Sequence, residues 1–237
     1  MIGLRFHEVM EGLLGPQFID ADDGFGYKGA VAAKLSARID IRDVKLFVSA
    51  DLPHAGILSV ELRVPILSSN PFVANDGKFE LFRPGELGPG GRGYVMVYDA
   101  RVTDGHRVYQ MTGRKYLHPT RLWRVWRLWR ETTTLYVTLV AVLSADADHV
   151  IRTPELLLRS WVTPVPFESE ADRDFHRPRQ AAGIVHISAW EFIMQLVGMR
   201  GVGASWFAET RVRLRFMAFF AASLFRIYVL GRHVPPD

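Results

Sequence analysis

Strict two-residue alternation, recurring in separate stretches, is the feature that most limits how this chain can fold. From Lys34 to Ile41, the residues Leu35, Ala37, Ile39 and Ile41 fall on one side, with Lys34, Ser36, Arg38 and Asp40 on the other. Leu58, Val60, Leu62 and Val64 alternate with Ser59, Glu61 and Arg63, and Tyr94, Met96, Tyr98 and Ala100 share a face. A period of two marks a strand with one buried and one wet side. Further strands are predicted at Leu4 to Met10, with a bulge at Gly12, at His106 to Leu117, at Thr132 to Val140 and at Ile184 to Ile187. Asp104-Gly105 predicts a hairpin, and Asn75-Asp76-Gly77 a turn before Lys78 to Phe82.

Helical signals are few. Asp43 predicts the cap of a short helix through Ala50, and the capping box from Ser188 to Glu191 starts another through about Val197. Gly198, Gly201 and Gly203 break that helix. A last one, from about Ala204 to Tyr228, is expected to pack Phe207, Leu214, Phe216, Phe219, Phe220 and Ile227 against an apolar surface. About eight strands thus precede two terminal helices, with no βαβ alternation. The expectation is a mainly β, lipocalin-like antiparallel barrel, one domain over residues 1–237 with a helical segment near 188–230.

The loop from Gly15 to Gly29 holds Asp20, Asp22 and Asp23, but neither EF-hand spacing nor its closing glutamate, so it reads as a solvated loop. Ala145 to Asp148 reads as a polar turn. Thr153 to Gln180, with Pro154, Pro164, Pro166 and Pro178, reads as a long irregular excursion.

Composition removes several function classes. There is no cysteine, so no thiol nucleophile or thiolate metal site. The eight histidines show no ligand spacing, and no metal site is predicted. His7 and Glu8, with His106 and His186, remain candidates to meet inside a barrel as acid and base. No Gly-x-Gly-x-x-Gly opens a βαβ unit and no Gly-x-Ser-x-Gly elbow occurs, so neither flavin nor nucleotide cofactor nor hydrolase chemistry is expected. The charged N-terminus argues against a secretory signal, and Phe216 to Phe225 is too short to span a bilayer. The expected setting is the cytoplasm, including the inner membrane face.

The sharpest local signal is RLWRVWRLWR from Arg121 to Arg130. As a helix it gathers Trp123, Trp126 and Trp129 on one side and sets Arg121, Arg124 and Arg127 largely opposite. Tryptophan suits a bilayer interface and arginine suits anionic head groups. The alternative is that the tryptophans pack on the barrel while the arginines snorkel. Nucleic acid is a weaker fit: the net charge of +4 announces no broad basic surface.

The segments FHEVMEG near the start, GKFELF at Gly77 to Phe82, DGHRVYQMTGRK at Asp104 to Lys115, LWRETTTLYV at Leu128 to Val137 and GIVHI at Gly183 to Ile187 resemble a β-rich accessory domain, as does RFMAFFAASLFRIY at Arg215 to Tyr228. That domain is found with flavin-dependent GMC oxidoreductases of the cholesterol-oxidase type. The chain departs from it at Glu131, where an aspartate is usual, and in its richer Arg/Trp triplets. The resemblance implies a non-catalytic module that binds a sterol or fatty acyl ligand, or a membrane, in support of such an oxidoreductase. The inward residues expected to touch that ligand are Tyr94, Met96, Tyr98 and Tyr136. A stand-alone isomerase or cyclase acting on an apolar substrate is the alternative.

Overall fold

The computed structural model describes residues 2–49, 54–87, 91–119, 125–142, 178–188, 198–202 and 206–230. Its strands follow one another as β1 (Gly3–Pro16), β2 (Val31–Ile41), β3 (Ala55–Arg63), β4 (Phe72–Glu86), β5 (Arg92–Thr103), β6 (Val108–Leu117), β7 (Thr134–Ala141), β8 (Gln180–His186) and β9 (Arg200–Val202). Every pairing is antiparallel, each strand from β1 to β8 pairs with the next, and β8 returns to β1. The result is a closed eight-stranded up-and-down barrel, and the expected mainly β architecture is the one observed. Helices α1 (Ala21–Gly26), α2 (Val44–Phe47), α3 (Val125–Thr133) and α4 (Trp206–Tyr228) decorate it. The helix expected after Ser188, the turn at Ala145 to Asp148 and most of the proline-rich excursion lie outside the described residues.

The alternation read in the sequence is the barrel's inside and outside. Leu35, Ala37 and Ile39 of β2 are fully buried, as are Leu58 and Leu62 of β3. Eight strands leave an interior that side chains fill. On the outer wall, Arg5 faces Asp40 and Lys34 faces Glu11 as direct cross-strand partners, each joined as an ion pair. Such exposed pairs are worth little individually. They favour this register because a one-residue slip would bring Arg5 and Asp40 to opposite faces.

β1 is shared along one edge: β8 takes Glu11 to Pro16, and the short β9 takes Gly3 to Arg5. Closure demands very close backbones at the β8 seam. A Cβ on Gly12 would sit 2.0 Å from the Ile184 carbonyl oxygen, and one on Gly183 would sit 2.0 Å from that of Leu13. Gly12 therefore does not bulge. β1 stays in continuous register with β2 from Leu4 to Leu14.

Three other expectations are corrected. Asn75-Asp76-Gly77 makes no turn, because β4 runs through it, taking three residues from Ala74 to Gly77 where β3 takes two. Strand pairing on both sides absorbs the turn chemistry as a bulge. The acidic loop is helical at α1, where the Asp20 carboxylate accepts from the amides of Asp22 and Asp23. On α4, Phe216 and Ile227 are buried, whereas Phe207 and Leu214 face outward. Leu214 precedes Phe216 by two residues, about 200° around a helix.

A second bulge in β4, between Glu80 and Arg83, puts Phe82 at a φ of 54° and turns both Leu81 and Phe82 inward. Phe82 thereby stacks on Phe220 of α4, with centroids 5.5 Å apart. The strained residue aims an aromatic side chain at the helix that closes this end.

The switch from α3 to β7 is written in the threonines. The hydroxyls of Thr132 and Thr133 both donate to the Trp129 carbonyl, and the Ile187 amide donates to the Thr133 carbonyl. Side-chain bonds to the preceding turn compete with helix propagation, and the β-branched run then continues as strand.

Candidate functional site: a buried polar trio beneath an aromatic cap

Three inward phases of alternation carry one polar residue each. Glu8 follows Phe6 and precedes Met10 on β1, Tyr98 lies between Met96 and Ala100 on β5, and Lys115 lies between Gly113 and Leu117 on β6. All three are buried, Lys115 to 1% exposure and Glu8 to 6%. The Tyr98 hydroxyl donates to Glu8 Oε2 at 2.9 Å, and Lys115 Nζ donates to the same oxygen at 3.0 Å. The ammonium also sits 5.1 Å from the centre of the Tyr98 ring. Gly113 pairs directly with Tyr98, and a Cβ on it would come 3.1 Å from the Tyr98 Cβ and 3.2 Å from a Leu135 methyl.

Burial and the adjacent Glu8 carboxylate push the Tyr98 phenol well above its ordinary range. Tyr98 is therefore a donor at any physiological pH. Removing a carboxylate and an ammonium from water costs several kcal/mol per ion, offset here by their contact and the phenol bond.

Above the trio lies a cavity of ≈ 30 Å³ lined by Phe6, Phe79, Leu81, Met96, Thr132, Met199, Phe216 and Phe220. That is room for about one water molecule. The aromatic contacts run without a break from Tyr98 to Phe79, from Phe79 to Phe6 and from Phe6 to Phe216 of α4. Phe47, Phe82, Phe219 and Phe220 widen this cap around the helix. The cavity is thus apolar but for its floor and Thr132, whose hydroxyl donates to the Trp129 carbonyl.

A broader cleft of ≈ 1470 Å³ lies on the outer wall of β6, β7 and β8. There the Glu131 carboxylate binds the His118 amide and ring and receives the Tyr228 hydroxyl, tying α3 to the last turn of α4. Tyr116 and Tyr136 stand 5.4 Å apart, and His186 Nδ1 lies 3.1 Å from the Thr134 hydroxyl. Desolvation lowers the His186 pKa from its usual value. Its protonation then favours the unfolded chain, so its contribution is complete above about pH 6.5 and is lost as pH falls through the folded pKa. A histidine NMR titration should place the His186 midpoint below that value. A midpoint at or above it would refute the desolvation.

The expected ligand residues separate. Met96 and Tyr98 line the cavity, and Tyr94 packs partly buried against the core at the same end. Tyr136 faces the outer cleft, because Leu135 and Val137 on either side take the inward phase. Nor do the candidate acid and base residues converge. His7 must point out if its neighbour Glu8 points in, and its ring bonds Ser36 on the outer wall. His106 sits in the exposed hairpin turn and His186 in the outer cleft. Arg121, Trp123 and Arg124 lie outside the described residues, as do the side chains of Trp126 and Arg127, whose backbones belong to α3. Lys115 was missed, although a charge in the apolar phase between Met111 and Leu117 is a signal the sequence does carry.

No protein-family model, no curated protein and no solved structure matches this chain.

Proposed function

We propose that the barrel is a non-catalytic carrier for an apolar molecule ending in one neutral polar group, such as a sterol or a fatty acyl ester, serving a lipid-metabolising oxidoreductase on another chain. The observation that carries the reading is the polar trio at the floor of a cavity that is otherwise, Thr132 apart, aromatic and aliphatic. Pockets of this composition fix a ligand's orientation through a few polar atoms and draw affinity from the apolar remainder. A ligand hydroxyl can accept from Lys115 and donate to Glu8. A second carboxylate at that point would meet the Glu8 charge. Binding requires α4, with its Phe216 and Phe220 rings, to move off the barrel end, since the space beneath them holds only about one water and a pocket for such a ligand needs roughly 300 Å³ or more. Two donors already held on one Glu8 oxygen keep the carboxylate an acceptor and oppose its taking up a proton as a base, which favours binding over isomerase or cyclase chemistry.

The test is titration with a fluorescent sterol and a fluorescent fatty acid, alongside native mass spectrometry of the protein from its own host. The sterol should bind more tightly than the free acid, and Glu8→Gln should weaken it roughly tenfold by exchanging the charged acceptor of the ligand hydroxyl for a neutral one. If neither probe binds and no apolar molecule copurifies, the carrier reading fails.

A further inference from the structure

α4 presents an outer face that its inner role does not explain. Its inner face packs Phe216, Phe219, Phe220 and Ile227 on the barrel. A helix covering a core in this way normally turns polar residues outward. Here the outward stripe reads Phe207, Leu214, Ala218, Ala221 and Phe225, at spacings of seven, four, three and four residues. Phe207 is 78% exposed, Leu214 62% and Phe225 53%. The stripe is about 27 Å long at the usual helical rise. Arg211, Arg215 and Arg226 flank it, all exposed. The helix's one acid, Glu209, is turned to the Gly201 amide, which donates to its carboxylate at 3.0 Å.

We infer that this face docks on an anionic membrane surface, with the apolar stripe entering the acyl boundary and the arginines meeting lipid phosphates. Charge decides between occupants. A second copy would bring three arginines against three arginines with no acid on the face to pair them. An anionic head-group layer instead complements all three and accepts apolar side chains beside them. No helix among the described residues is long and apolar enough to cross a membrane, so α4 lies along the surface. The same helix then carries the cavity cap on one side and the bilayer on the other. Docking stands independently of what the barrel holds.

The experiment is vesicle flotation with the full chain, comparing phosphatidylcholine alone with the same lipid containing about 30% phosphatidylglycerol. Binding should require the anionic lipid and weaken between about 0.1 M and about 1 M salt. Leu214→Glu with Phe225→Glu should reduce binding at least roughly tenfold while leaving the melting temperature nearly unchanged, because both side chains are exposed. Arg211→Glu with Arg215→Glu should abolish the preference for anionic vesicles. Absence of vesicle binding, or binding that both double variants retain, overturns the inference. So does a concentration-dependent dimer in sedimentation that Phe225→Glu abolishes without any vesicle binding. If vesicles bind while the sterol and fatty acid probes do not, the docking face stands and the carrier reading falls.

Discussion

Lys115→Met should lower the unfolding free energy by about 3–5 kcal/mol, the usual cost of leaving one member of a buried ion pair alone. For a chain of this size that is a fall of roughly 6–20 °C in melting temperature. Methionine fills nearly the same volume, so little of the loss comes from packing. What remains is the Glu8 carboxylate, 6% exposed, with the Tyr98 phenol still bonded and its cation gone. The double variant Glu8→Leu with Lys115→Met should recover only part of the loss, since the apolar pair removes the buried charge but leaves the Tyr98 hydroxyl without its acceptor. A denaturation cycle over the two singles and the double measures the coupling directly. A single-variant loss below about 1 kcal/mol, as for an exposed pair, would show that water reaches the trio.

Gly183→Ala should be comparably damaging for a different reason. The added methyl would lie 2.0 Å from the Leu13 carbonyl oxygen and 2.7 Å from the Leu14 Cα, both backbone atoms of the neighbouring strand. No rotamer change relieves that contact, so β1 and β8 must separate where the barrel closes. The expected loss is about 3–5 kcal/mol, with amide exchange accelerating first along Glu11 to Pro16, the part of β1 that β8 pairs. Gly26→Ala is the control: a Cβ there meets nothing within 4 Å, and its urea midpoint should stay close to that of the unaltered chain. If the two variants unfold alike, the seam is looser than its geometry indicates.

The glycines and the trio show different degrees of legibility. Gly12 and Gly183 could be seen in the sequence as breaks in apolar strands, but a glycine in a strand signals a bulge and a close approach equally. Only the partner strand distinguishes them. Glu8 and Lys115 each stand as a charge in an apolar phase, yet they are 107 residues apart. Nothing local says that such charges meet. The histidines illustrate the converse error: proximity of His7 to Glu8 in sequence suggested one site, whereas adjacent residues on a strand face opposite sides.

Helix faces were only partly readable for a related reason. The aromatic density of α4 invited the assumption that all its large side chains share one surface. The helical period instead divides them, with Phe216, Phe219 and Phe220 toward the barrel and Phe207, Leu214 and Phe225 away from it. On α3, the sequence located a helix and a following strand. The bonds from Thr132 and Thr133 to the Trp129 carbonyl show how one becomes the other.

By itself the sequence determined the class of this protein: repeated period-two alternation with hairpin signals and no crossover helices leaves an antiparallel barrel as the means of burying every apolar face. Tertiary structure decided the interior chemistry, because strand order and register bring Glu8, Tyr98 and Lys115 across the barrel onto one carboxylate oxygen. It also decided which half of α4 is core, since the same residue types can bury either face of a helix until a barrel end is there to choose.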